Sequence, residues 1–143
     1  MIKINELRIG NYLSLCDINY AVSEIQNSLQ TVELKRKNTV NPKLNEYEEC
    51  DLDCEELEPI KLTEELLLKF GFELYYESLF CKRFELLSNT EICYAFSNVE
   101  DYKGAVGFSY VGKVIQNINN VHQLQNIYFA LVGEELVFSS TEP

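Results

Sequence analysis

The chain has 143 residues, of which 46% are apolar and 12% aromatic, enough to form a packed core in one domain or two small ones. Its formal net charge of −11 argues against binding to nucleic acid or to anionic membranes, because both depend on Lys and Arg. No secretory leader or apolar run of bilayer length is evident, so we expect a cytoplasmic protein whose five cysteines are free thiols.

Residues 1–37 predict a small β unit. Apolar and polar residues alternate over 8–15, 20–25 and 31–35, which favours three short strands joined by tight turns. Gly10-Asn11 fits either a β-bulge or a tight turn. Such a meander is compatible with a small SH3-like barrel.

Residues 38–58 are predicted to be an acidic loop or linker. Eight of the thirteen residues from 46 to 58 are acidic and none is basic, so repulsion should keep this segment extended. Residues 46–80 carry a net charge of −10, against +2 for residues 1–45 and −3 for residues 81–143. The acidity is therefore concentrated in one part of the chain.

Residues 59–143 predict a helix, an antiparallel sheet and a second helix. Thr63 suits the N-cap of the first helix, and Gly71 suits the left-handed position after its end, with Phe72 folding back. Alternation over 72–115 indicates a β meander. Residues 119–133 read as an amphipathic helix, capped by Asn120 and Gln123, and 135–138 as a short final strand. The predicted class is α+β.

His122 is the only histidine, and it lies among amides. A general base needs a partner that orients it, and neighbouring amides do not act as a carboxylate would. A structural or surface histidine is the favoured interpretation. No catalytic residues are assigned.

No metal or cofactor site is predicted. Cys50 and Cys54 lack a second pair of zinc ligands, and nearby carboxylates disfavour their thiolates. Asp51, Asp53 and Glu55 resemble the start of a calcium loop, but Glu56 and Leu62 occupy the places where an EF-hand needs glycine and glutamate. Gly104, Gly107 and Gly112 lack the spacing of a phosphate-binding loop.

Three segments carry a resemblance to a known family: 7–12 (LRIGNY), 57–72 (which includes LEPIKLTEE and KFGF) and 121–131 (VHQLQNIYFAL). Together they resemble small uncharacterised proteins encoded in prophages and mobile elements of gut bacteria. The family has no assigned activity, so the resemblance implies a mobile-element setting and no catalytic residues. The acidic insert before the second segment departs from the family.

The leading functional hypothesis is a non-enzymatic protein-interaction module. Its candidate partner-binding residues lie off the apolar stripe of the last helix: His122, Gln125, Asn126 and Phe129. The alternative is an acidic protein that mimics nucleic acid and inhibits a host DNA-binding protein through residues 46–58. A third is an enzyme with an unrecognised site, which a pocket that brings together His122, Cys81 or Cys93 and a carboxylate would support. The protein partner is unidentified, and homo-oligomerisation is left open.

Overall fold

The computed structural model describes residues 2–36, 46–76, 79–83, 91–96, 103–108, 114–115 and 118–138. The chain divides into two compact units. Unit 1 consists of Met1–Lys61 and Asn120–Asn126, and unit 2 of Leu62–Asn119 and Ile127–Pro143. The boundaries therefore differ from the predicted segments 1–37 and 59–143, because unit 1 includes the first half of the last helix.

Unit 1 is built on a five-stranded antiparallel sheet in the order β4-β3-β2-β1-β5. A short 3₁₀ turn at Ile4–Glu6 precedes the strands. The strands are β1 (Tyr12–Leu15), β2 (Ile18–Gln26), β3 (Thr31–Arg36), β4 (Glu46–Asp51) and β5 (Leu57–Pro59). The predicted N-terminal β meander is confirmed, and its closure into an SH3-like barrel stays a prediction.

Tight turns fix the register of this sheet. The backbone N–H of Asn11 donates to the carbonyl of Arg8, and Gly10 between them has φ +97°, so this glycine serves a tight turn and β1 begins only at Tyr12. Cys16 and Asp17 both have positive φ in the two-residue loop between β1 and β2. This conformation matches the right-handed twist of the hairpin.

The core of unit 1 lies on one face of the sheet. Val22, Val32 and Leu34 are almost completely buried, and Cys50 lies opposite Val32 across the β3–β4 pair. The remaining members come from the N-terminal segment, from β1, β2 and β5, and from the residue after β4: Ile2, Leu7, Leu13, Tyr20, Leu52 and Leu57. This one-sided burial explains the period-two pattern of the sequence.

The prediction of a loop over 38–58 is wrong for the part of that segment that the structure describes. Glu46–Asp51 forms β4, which pairs with β3 over six residues, and Leu57–Pro59 forms β5 beside β1. Cys50 and Leu57 are buried, and their burial offsets the repulsion between the exposed carboxylates. The first part of the predicted linker, residues 38–45, lies outside the described residues.

Unit 2 begins with the helix α1 (Glu64–Lys69), which has both predicted caps. Thr63 Oγ1 accepts a hydrogen bond from the backbone N–H of Leu66. At the other end, the N–H of Phe72 donates to the carbonyl of Leu67, and that of Gly71 (φ +89°) donates to the carbonyl of Leu68. These two bonds define a Schellman ending, and Phe72 and Leu67 are both buried.

The sheet of unit 2 is an antiparallel meander in the order β10-β9-β8-β7-β6. Its strands are β6 (Glu73–Tyr76), β7 (Leu79–Arg83), β8 (Glu91–Phe96), β9 (Lys103–Phe108) and β10 (Val114–Ile115). Lys82 interrupts the apolar pattern of β7 because its ammonium donates to the carbonyl of Phe70 at 2.6 Å. The Lys82 ammonium thus caps the C-terminal end of α1 in addition to the Schellman hydrogen bonds.

The last helix, α2, spans Val121–Val132, and Gly133 with φ +83° follows it. The predicted capping box is present in part, since Gln123 Oε1 accepts from the backbone N–H of Asn120 at 3.1 Å. The strand predicted at 135–138 does not form, and these residues follow an irregular path.

The α+β class is confirmed. In the described part of the chain, no helix is long and apolar enough to cross a membrane.

Candidate functional site

Gln125 holds the start of α2 to the turn before β1. Its Oε1 accepts a hydrogen bond from the backbone N–H of Tyr12 at 2.8 Å, and its Nε2 donates to the carbonyl of Gly10 at 3.1 Å. The side chain is fully buried. One amide thereby binds a backbone donor and a backbone acceptor at the same time.

Asn126 extends this contact to the N-terminal segment. Its Oδ1 accepts from Arg8 Nη1 at 3.1 Å and from Asn11 Nδ2 at 2.9 Å, and its Nδ2 donates to the carbonyl of Glu6 at 2.6 Å. Asn11 is fully buried, and its Oδ1 accepts from the backbone N–H of Arg8. The amides of α2 thus pair with residues more than 110 positions away in the sequence.

His122 is enclosed beside the same segment. The side chain is 1% exposed, and Nε2 lies 3.5 Å from Glu6 Oε2, at the outer limit of a hydrogen bond. Its buried Nδ1 has no hydrogen-bond partner. Burial lowers the pKa of His122, and Glu6 opposes that shift. The ring is therefore a neutral, enclosed group, which a substrate could not reach in this conformation.

These positions correct the predicted partner-binding face of α2. Gln125 and Asn126 were predicted on an accessible partner-binding face together with His122, for which a structural role was also predicted. His122 and Gln125 are buried, and all three residues contact the chain's own N-terminal segment. Phe129 belongs to unit 2 and is 40% exposed. The periodicity identified the apolar stripe correctly at Val121 and Leu124, both fully buried, but it could not reveal a second, polar interface.

The outer face of the unit 1 sheet carries an unusual set of charges. Glu24 lies directly opposite Glu33 across β2 and β3, and Glu33 lies directly opposite Glu49 across β3 and β4. We call Glu24, Glu33 and Glu49 the carboxylate row. Like charges in directly opposed positions destabilise a sheet, so this row opposes folding.

The geometry around the row fixes Glu33. The register of β2 shifts between Val22 and Glu24, and Ser23 in this bulge donates its hydroxyl to Glu33 Oε1 at 2.9 Å. Among the described residues, no Lys or Arg forms an ion pair with any member of the row.

The cations of β3 are engaged further along the strand. Lys35 Nζ lies 5.7 Å from the centroid of the Tyr47 ring, and Arg36 Nη1 lies 3.8 Å from Glu46 Oε2. Both contacts are at the opposite end of β4 from Asp51. Lys35 and Tyr47 share the face of the carboxylate row, whereas Arg36 and Glu46 share the face of Leu34, so of these two cations only Lys35 lies on the outer face.

The two cysteines of the acidic segment lie close together. Burial and the neighbouring Cys54 thiol raise the pKa of Cys50 to about 12, and Cys54 Sγ donates to Glu56 Oε2 at 2.9 Å. Cys50 is therefore a thiol and not a thiolate at neutral pH. In the part of the chain that the structure describes, no group of three His, Cys, Asp or Glu residues is placed to hold a metal ion.

No family model, curated protein or solved structure matches this chain.

Proposed function

We propose that the protein is a non-enzymatic interaction module that binds a basic, extended segment of a protein partner on the acidic face of unit 1. The carboxylate row is the observation that carries this proposal. Its members repel one another across three adjacent strands, and a Lys- or Arg-rich segment would relieve that repulsion on binding.

Protection of the sheet edge does not account for the row. Charged residues on an edge strand prevent two sheets from pairing, and Glu49 on β4 fits that role. Glu33 and Glu24, however, lie on β3 and β2, which have neighbours on both sides. Charge at these inner positions adds nothing to the protection of an edge, whereas it enlarges a surface that attracts cations.

Strand addition is the binding mode that this sheet favours. Among the described residues β4 pairs with β3 alone, which leaves its other edge for an extended segment. Main-chain hydrogen bonds would supply affinity, and Glu49 and Asp51, which share the row's face of β4, would select Lys or Arg. The partner's segment would then pair with the edge of β4, next to Glu49 of the row.

Titration calorimetry with a decapeptide of alternating Lys and Thr tests the proposal. We expect binding that weakens steeply with salt and falls at least fivefold in the double variant Glu33→Gln, Glu49→Gln. The matched control Glu58→Gln, Glu73→Gln removes the same charge from β5 and from unit 2 and should bind like wild type. Equal affinity in both double variants would contradict a role for the row.

A second peptide examines the binding mode. Methylation of alternate backbone nitrogens removes the donors of one edge of the peptide without changing its charge. We expect this peptide to bind at least tenfold more weakly if it adds to β4. Equal affinity for both peptides would leave charge attraction but exclude strand addition.

Mimicry of nucleic acid by the same face is the second candidate. The observation that favours it is that the acidic residues of β4 lie on a paired strand, where carboxylates repeat at fixed intervals. A folded basic DNA-binding domain would then bind this protein in competition with duplex DNA, regardless of any extended segment. The prophage or mobile-element setting and the cytoplasmic location remain predictions and would suit either partner.

A further inference from the structure

A groove of about 520 Å³ lies at the end of β4 in unit 1. Its walls come from three places: the segment that leads into the 3₁₀ turn, the β2–β3 turn, and the residues that follow β4. Its lining includes Ile2, Ile4, Leu29, Leu52, Asp51 and Asp53. Apolar side chains therefore face the groove together with two carboxylates.

The turn that carries Leu29 is rigidly held. Gln30 adopts the left-handed region with φ +54°, and its side chain donates to the carbonyl of Asn27 at 2.7 Å. The carbonyl of Gln30 also accepts from the backbone N–H of Leu52 at 3.0 Å, which ties the turn to the segment after β4. A left-handed conformation is costly for a residue other than glycine, so these bonds maintain a preformed wall.

Leu29 on this wall is 64% exposed, whereas Ile2 and Leu52 are buried. The groove thus offers an apolar surface with one exposed aliphatic side chain at its margin. An apolar group that entered it would cover part of Leu29, and removal of apolar surface from water is favourable. This surface suits a side chain of the size of Leu or Phe.

The carboxylates connect the groove with the row. Asp51 lies two residues after Glu49 on the same face of β4, about 7 Å along the strand. Asp53 continues the acidic margin, and Lys3 is the one cation among the groove's described lining residues. Charge complementarity therefore selects a basic occupant, and the apolar wall selects an aliphatic or aromatic residue within it.

We propose that this groove receives an apolar side chain, flanked by Lys or Arg, from the basic segment that binds the carboxylate row. The inference rests on the proposed function and adds a specificity to it. A segment that lacks the apolar residue would still bind through charge, but more weakly.

The test uses the full chain and the Lys-Thr decapeptide, in which each Thr is replaced by Leu in turn. We expect one position of Leu to increase the affinity about tenfold, as covering much of a Leu side chain predicts. In Leu29→Ala that increase should drop to threefold or less, with the salt dependence unchanged. Leu29 is exposed, so this substitution leaves the core intact.

The outcomes separate the two proposals. If the Lys-Thr peptide binds in a salt-dependent way but no Leu substitution increases its affinity, the groove proposal is wrong and the proposed role of the carboxylate row stands. Failure of all peptides to bind would overturn both. Sedimentation of the free protein tests whether a second copy of the chain occupies the groove instead. A dimer that Leu29→Ala converts to a monomer, with no change in peptide binding, would assign the groove to a second copy and contradict this proposal.

Discussion

At the level of single residues, the amides of α2 act as structural links between distant parts of unit 1. The sequence shows an amide-rich stretch, but most of its partners are backbone groups, of Gly10, Tyr12 and Glu6, which carry no sequence signal. The helical periodicity places Gln125 on the polar side of α2 because an amide is polar. Its burial depends on a tertiary contact that periodicity cannot detect.

His122 makes the stability of the protein dependent on pH. Its lowered pKa means that the folded state binds fewer protons than the unfolded state near pH 6. Stability therefore rises with pH in this range, and it is lost as the pH falls below the ordinary histidine value of about 6.5. Thermal melts between pH 7.5 and 5.5 should show this decline in wild type.

His122→Leu provides the comparison for that measurement. The substitution removes the buried, unpartnered Nδ1 together with a long contact to Glu6. At pH 7.5 we expect its free energy of unfolding to lie within about 1 kcal/mol of wild type or above it. The substitution loses the weak Nε2–Glu6 hydrogen bond but also removes the unfavourable burial of the unpaired Nδ1, and the two effects are of similar size. An unchanged pH dependence in the variant would show that other groups cause the decline.

At the level of elements, local chemistry was the most predictable part of the fold. The cap at Thr63 and the turn at Gly71 follow from residues within ten positions of each other, so the sequence alone predicts α1. Strand β4 was missed because its composition favours a loop. Its pairing with β3 and the burial of Cys50 decide the outcome, and neither is a local property.

Substitution of Gly71 measures the contribution of the lysine cap. Gly71 and Gly133 have similar positive φ values, but a Cβ on Gly71 would lie 2.8 Å from Lys82 Nζ, whereas a Cβ on Gly133 would meet no atom within 4 Å. Gly133→Ala should lose roughly 1–2 kcal/mol from backbone strain alone. Gly71→Ala should lose more, because Lys82 must also move from the carbonyl of Phe70.

Urea denaturation of the two alanine variants provides the comparison, with Lys82→Met as a third variant. If Gly71→Ala and Gly133→Ala lose the same free energy of unfolding, the Lys82 side chain moves away from the new Cβ without loss of stability. In that case the hydrogen bond to Phe70 contributes little to the end of α1.

At the level of the whole molecule, unit 1 combines two separate parts of the chain. Strands β1 to β5 form its sheet, and residues 120–126 join it through Gln125 and Asn126. Residues 6–12 and the start of α2 meet through these amides. Such a contact between residues more than 110 positions apart is invisible to composition, so the sequence could not place residues 120–126 in unit 1.

A fragment of residues 1–61 tests this organisation. Without Gln125 it loses the hydrogen bonds to the N–H of Tyr12 and the carbonyl of Gly10, which contribute about 0.5–1.5 kcal/mol each. We expect the fragment to lack a cooperative urea transition on its own. A transition equal to that of the intact chain would contradict a structural role for residues 120–126.

We propose that binding of a cationic partner relieves the mutual repulsion within the carboxylate row. The free energy of unfolding of wild type and of Glu33→Gln, Glu49→Gln, each with and without the Lys-Thr decapeptide, tests it most directly. Without peptide we predict that the variant is more stable by roughly 0.5–2 kcal/mol, from two opposed pairs. With peptide in excess, wild type should gain more stability than the variant. A variant less stable than wild type in buffer, or equal stabilisation of both by the peptide, would contradict the account.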